Sequence, residues 1–323
     1  MSDVLERFMR YVQVDSSSDP GNDGVTPSTP CQHDMARVLA DDLAAIGCRD
    51  VTADEHAYVT GVLDASAGAE GLPALVLCAH IDSSPDAPAH GVRPHVVRYE
   101  GGPLVAGVVD GEPVQTTPDQ VPDLERFVGQ DIVCSDGTTL LSADDKAGVA
   151  EIMALLARLA SNPELPHPAI KAAFVPDEEI GHGAELRDLE ALGARWGYTV
   201  DGEALGELNF ECFSASEATV RIRGVMVHPG SAKNVMVNAI TVAAEYQRMI
   251  PAAERPEHTE GREGYYHPTD IEGTASEVTL TYILRDFDAE GFARREKTMH
   301  DVAGFLNARY GEGTVSVSIR EQY

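Results

Sequence analysis

The 323-residue sequence lacks several things whose absence narrows the field. No run of about 18 consecutive apolar residues occurs, so no membrane-spanning helix is expected. The N-terminal MSDVLERFMRYVQVDSSS has no basic start, apolar stretch and small-residue cleavage site, so it reads as an amphipathic first helix and cytoplasm is the expected compartment. Cysteine is sparse: Cys31, Cys48, Cys78, Cys134 and Cys212 show no CxxC spacing, and an odd number cannot all pair within one chain. Reduced thiols and no cysteine-based structural zinc site follow. Basic residues are also scarce, 24 against 53 acidic ones, and only four of them are lysine. A formal charge of −29 repels phosphate backbones and anionic lipid, so neither nucleic acid nor membrane is an expected partner. No GxSxG elbow is present, and no cysteine sits in a recognisable activating motif, which argues against covalent nucleophilic catalysis.

What is present is a soluble composition, 43% hydrophobic and 24% charged, long enough for two packed domains. From residue 1 to about 213, apolar runs alternate with helical patterns, the mark of an α/β sheet covered by helices. Strands are expected at Ala74 to Ala79 and Ile170 to Val175, a helix from Ala147 to Leu159, and hairpins and loops from Pro85 to Pro122. Thr29-Pro30-Cys31-Gln32 predicts a helix start with Thr29 as cap and Gln32 completing a capping box, the helix ending near Gly47. Residues 214–323 read β-α-β-β-α-β, a smaller ferredoxin-like α+β domain.

Four acidic or histidine motifs stand at predicted strand ends, where α/β folds place ligand sites. In Ala79-His80-Ile81-Asp82, period-two alternation sends His80 and Asp82 to one face, so a carboxylate can orient a ligating imidazole. In Ala143-Asp144-Asp145-Lys146-Ala147-Gly148, paired acids precede a helix and small residues allow close backbone approach; Asp144 can bridge two cations or cap the helix. In Asp177-Glu178-Glu179-Ile180-Gly181 the two glutamates can serve one centre only where the strand breaks, and Gly181 and Gly183 supply a break. Thr199-Val200-Asp201-Gly202 adds another acid. Each alone has a plain structural reading: a surface histidine, a cap, or a solvated acidic loop. Together they offer one imidazole and several carboxylates, a donor set for Zn²⁺, Mn²⁺ or Co²⁺ in pairs.

In order and spacing these motifs resemble the peptidase T family of two-zinc aminotripeptidases. Leu5-Glu6-Arg7-Phe8, Ala194-Arg195-Trp196, Val227-His228-Pro229-Gly230 and Ile283-Leu284-Arg285-Asp286-Phe287-Asp288 extend the likeness along nearly the whole chain. The resemblance implies a mixed-sheet zinc-peptidase catalytic domain over residues 1–213 and a lid or dimerisation domain over 214–323. It implies two divalent ions, Zn²⁺ with Co²⁺ or Mn²⁺ as alternatives, and tripeptides as substrates. Asp144 becomes the bridging ligand, His80 and Asp201 ligands of one ion, and Glu179 a ligand of the other. Asp82 orients His80, and Glu178 is the general base. His228 is a candidate for the oxyanion site and Arg285 for the peptide carboxylate. A cis peptide is implied between Asp144 and Asp145, and a homodimer through the second domain. Family members continue past the lid, return to the catalytic domain and supply a last histidine to the ion held by Glu179. No counterpart is expected among His258, His267 or His300, all within the lid-like region. Three readings stay open on these grounds: a tripeptidase, a shortened homologue with impaired catalysis, or a sibling dizinc exopeptidase or deacylase.

Overall fold

The computed structural model describes residues 3–22, 24–183, 189–202 and 204–323. The chain divides into two compact units, residues 1–207 and 208–323. The first contains α1 (Asp3–Tyr11), α2 (Gln32–Ile46), β1 (Arg49–Ala53), β2 (Val59–Leu63), β3 (Leu75–His80), β4 (His95–Arg98), β5 (Leu104–Val109), β6 (Glu112–Thr116), β7 (Asp131–Cys134), α3 (Ala143–Ser161), β8 (Ile170–Val175), α4 (Leu189–Leu192) and β9 (Trp196–Thr199). Its main sheet runs β1-β2-β8-β3-β9. The sheet is mixed: β3 is parallel to both β8 and β9, and β2 is antiparallel to β1 and β8.

The near-continuous apolar runs Leu75 to Ala79 and Ile170 to Val175 suit strands at the centre of such a sheet, where both faces are covered. Tyr11, Met35, Leu39, Leu43, Val149, Met153 and Leu156 from the three long helices bury against them in one core. The segment expected to be hairpins and loops, Pro85 to Pro122, holds the ribbon of β5 with β6 and the strand β4, which pairs with β7 beyond it; a satellite cluster of Tyr99, Leu104, Leu124 and Cys134 packs there.

One local expectation fails. Helix α2 ends at Gly47 in the left-handed conformation, as expected, but it begins at Gln32, and Cys31 at its N-cap makes no side-chain cap bond. The Thr29 hydroxyl donates to the Ser17 carbonyl, and Gln32 reaches Asp177. Tertiary partners outcompete the local box.

The second unit contains β10 (Ser214–Arg223), α5 (Ala239–Met249), β11 (Tyr265–Gly273), β12 (Glu277–Asp286), α6 (Ala289–Tyr310) and β13 (Val315–Glu321). Every strand pairs antiparallel, in the order β11-β12-β10-β13, which is the ferredoxin-like arrangement. Asn238 starts α5 by accepting from the Ile240 and Thr241 amides, and Asp288 starts α6 by accepting from Gly291. Arg295, 3% exposed, pairs with the buried Asp286 and with the partly exposed Glu254. Among the described residues no helix is long and apolar enough to cross a membrane.

Candidate metal centre

Three neighbouring parallel strands bring the four motifs together. β3, β8 and β9 all point the same way, so the residues after their C-terminal ends, Ile81-Asp82, Pro176 to Glu179 and Val200-Asp201, emerge at one edge of the sheet. The start of α3 supplies the acidic pair. There Ser142 adopts a left-handed conformation, Asp144 and Asp145 have non-helical backbone angles, and the peptide joining them is cis.

His80, only 1% exposed, is the hub. Its Nε2 lies 2.9 Å from Asp144 Oδ1 and 3.9 Å from Glu178 Oε2. Its Nδ1 lies 3.2 Å from Asp82 Oδ1, an ion-pair distance without the alignment of a full hydrogen bond. Asp82 is wholly buried, and its two oxygens accept the consecutive amides of Glu178 and Glu179, each at 3.1 Å. One carboxylate thus faces the imidazole and grips the loop that carries both glutamates. That loop turns immediately after β8: Asp177 is left-handed at φ 53°, Glu178–Ile180 form a single 3₁₀ turn, and Gly181 reverses the chain at φ 82°.

Among the described residues, two groups hold potential ligand atoms within 4.8 Å of one another: His80, Asp144 and Glu179, and His80, Asp145 and Asp201. Asp145 has no ligand role in the sequence-based reading. It is buried, and its Oδ2 accepts the His80 backbone amide at 3.1 Å. The doubled acid is the only local sign of it.

Charge explains why these groups suit a cation. Burial raises the Asp145 carboxyl to about 8, with the Asp201 and Asp144 charges adding to the effect and His80 opposing it. Burial and the Asp144 charge lift Glu179 to about 7, and burial likewise raises Glu178 and Asp201. Burial alone depresses the imidazole of His80, but the closeness and charge of Asp82, with help from Asp145 and Asp144, overcome it and lift the ring to about 10. Acids packed so closely share a single imidazolium. A divalent ion would supply the missing positive charge, and an oxygen-rich set with one imidazole is of the kind that suits Zn²⁺, Mn²⁺ or Co²⁺.

Two further residues shape the centre. Lys146 is fully buried, and its Nζ donates to the Val14 carbonyl at 2.8 Å; burial pushes its ammonium down to about 8 against the pull of Asp15 and Asp82. Gly148 allows α3 to meet the Val200 carbonyl, for a Cβ there would lie 1.8 Å from that oxygen and 2.3 Å from Asp145 Oδ1. This is the close approach expected of the small residues in the second motif.

The other two candidates belong to the second unit. His228 Nδ1 accepts the Gly230 amide at 3.1 Å, which leaves the proton of a neutral ring on Nε2, a donor. The Arg285 guanidinium stacks against the rings of Phe213 and Tyr323 and donates to Gln322 Oε1 at 3.1 Å. Its acidic neighbours in sequence are engaged elsewhere: Asp286 pairs with Arg295, and Asp288 caps α6.

Comparison with known proteins agrees with this architecture. The peptidase dimerisation domain family matches residues 211–314. Peptidase T from Geobacillus thermodenitrificans is 44% identical over 322 residues, an alignment covering 99% of this chain and 77% of the relative. The crystal structure of aminopeptidase PepT from Bacillus cereus superimposes with a TM-score of 0.74 at 22% identity, covering 99% of this chain and 76% of that one. A tripeptidase from Staphylococcus aureus gives 0.73 at 24%, covering 99% and 75%. These two share the fold. The identity to the Geobacillus enzyme, sustained over nearly the full length of this sequence, makes the chain a member of the peptidase T family.

Proposed function

We propose that the protein is an aminopeptidase that releases the N-terminal residue of tripeptides with the help of two divalent ions, Zn²⁺ first among the candidates. The observation that carries this reading is the meeting of His80, Asp144 and Glu179 within ligand distance of one another, with Glu178 beside them, in a chain of the peptidase T family. His80, Asp144, Glu179 and Asp201 would hold the ions. When bound, such a pair supplies a water with its pKa brought down to about 7 and positive charge for the carbonyl oxygen as it becomes anionic.

The chain's own groups do the rest. Asp82 holds His80 through Nδ1, so that Nε2 faces the centre. Glu178 is the general base: burial raises its carboxyl above the ordinary glutamate value, and it takes the proton of the attacking water and returns it to the departing amine. Its backbone is fixed by Asp82, so the carboxylate needs no search for position. The Nε2–H of His228 is the candidate donor to the oxyanion, and Arg285 the candidate partner of the peptide carboxylate. A homodimer would form through residues 208–323, where the dimerisation family matches.

The test is release of the N-terminal residue from tripeptides, dipeptides and acylated amino acids, with and without Zn²⁺ or Co²⁺ and after chelation. Tripeptides are expected to be cleaved fastest, and only with metal. Hydrolysis indifferent to chelators would sink the metal reading, and a preference for dipeptides or acylated substrates would sink the specificity. Glu178→Gln is expected to keep its metal and lose about 10²- to 10⁴-fold in turnover.

A further inference from the structure

Asp177 has no part in the chemistry above, yet it is as fully enclosed as Asp82. It is 0% exposed, and among the described residues no Lys, Arg or His pairs with it. Neutral donors satisfy it instead. Its Oδ1 accepts the Ser28 hydroxyl at 2.6 Å and Gln32 Nε2 at 2.6 Å, and its Oδ2 accepts the Ser28 amide at 2.7 Å. The Gln32 side chain also turns back to accept the Asp177 amide at 3.1 Å, so a single carboxamide grips both the backbone and the side chain of residue 177. These contacts span 145 to 149 positions in sequence.

The place they hold is a particular one. Asp177 is left-handed, a region that non-glycine residues occupy only when their surroundings hold them there. That conformation turns the chain off β8 so that the next two amides meet the two oxygens of Asp82. The His182 amide closes the turn from behind by donating to the Asp177 carbonyl. The glutamate loop is therefore fastened at Asp82 on one side and at the start of α2 on the other.

We propose that Gln32, Ser28 and Asp177 act as a positioning lock that sets Glu178 for proton transfer and Glu179 for metal binding. The lock rests on the reading of those two glutamates given above. A carboxylate is required at 177 because both oxygens accept; an asparagine would aim an amide hydrogen at one of the donors.

The experiment uses the metal-loaded protein and four variants, Asp177→Asn, Gln32→Leu, Ser28→Ala and the exchange Asp177→Asn with Gln32→Glu. Turnover of a tripeptide, Zn²⁺ affinity by chelator competition, and Tm are read on each. Asp177→Asn and Gln32→Leu are expected to lower kcat and Zn²⁺ affinity by about 10- to 100-fold with KM little changed, the scale seen when partners of metal ligands are removed. In the exchange, the amide introduced at position 177 can donate to the carboxylate introduced at position 32 while its oxygen still accepts the Ser28 amide, so kcat and affinity are expected to recover. Ser28→Ala, which removes one hydroxyl contact, gives the same signs at lower amplitude and serves if a stronger variant does not fold. Folded variants with wild-type kcat and Zn²⁺ affinity and only a lower Tm would overturn the lock, as would an exchange no better than Asp177→Asn. Glu178→Gln separates the two claims: full turnover in that variant removes the general base, while the Zn²⁺ affinities, reporting on Glu179, still judge the lock.

Discussion

A methyl group at position 148 probes how closely α3 must approach the segment that carries Asp201. In Gly148→Ala the new carbon would fall 1.8 Å from the Val200 carbonyl oxygen, whereas non-bonded contacts settle near about 3.5 Å, so roughly 1.7 Å of separation has to be found. Neither partner yields cheaply. One is backbone, and the other, Asp145 at 2.3 Å, is tied to the His80 amide. Overpacking of this kind costs about 1–3 kcal/mol. The exchange of glycine for alanine within a helix returns about 1 kcal/mol of propensity. The clash wins. A net loss of up to about 2 kcal/mol lowers Tm by up to about 8 °C for a unit of this size. Pushing residues 200–201 away also moves Asp201, and Zn²⁺ affinity is expected to fall by about tenfold or more. Differential scanning fluorimetry and chelator competition read the two effects. Gly304, exposed within α6, has nothing within 4 Å of its built Cβ, and Gly304→Ala is expected to stabilise by about 0.5–1 kcal/mol. If Gly148→Ala matched that control, with Tm at or above wild type and metal binding unchanged, the close approach would carry no weight in building the centre.

Other expectations follow from the same packing. Removing metal with a chelator should lower Tm and restoring Zn²⁺ should recover it, by about 2.7 kcal/mol at a hundredfold excess over Kd; an unchanged Tm would mean that no site binds in the folded state. Arg295→Met strands the buried Asp286 carboxylate in the second unit and is expected to cost about 3–5 kcal/mol, measured by urea unfolding. Asn238→Ala removes the side-chain acceptor at the start of α5 and should cost about 1 kcal/mol in the same experiment, with no effect on Zn²⁺ affinity.

Much of this architecture is legible in the sequence because its signals are local. The apolar run Ile170 to Val175 marks β8 to the residue, and Gly47 marks the end of α2, since a strand buried on both faces and a left-handed terminus each leave their own residue pattern. The four motifs are legible for the same reason, as acids and a histidine gathered at strand ends. What escapes such reading are partners chosen by the fold. Gln32 carries the signature of a capping box, and only the packing of α2 against the end of β8 turns its amide towards residue 177. Asp177 and Lys146 sit inside recognisable motifs, yet their burial depends on distant partners, Ser28 for the first and Val14 for the second. Asp145 reads as no more than the neighbour of a ligand, because a regular helix start would turn the two side chains apart; the non-helical angles at Asp144 and Asp145 bring both to the imidazole.

The parallel pairing of β3 with β8 has one more consequence. His80 stands opposite Val175, and everything that converges on the imidazole relies on that register. Side chains alternate from face to face along a strand, so a slip of a single residue would turn His80 and Asp82 away together and present Ile81 in their place. Four strands and the whole of α3 intervene between β3 and β8 in the chain, and no hairpin enforces their alignment. Capture of a divalent ion would therefore report on folding fidelity: the proposed site is complete only after two distant stretches of chain have met at the right step, and a metal titration can score that without any substrate.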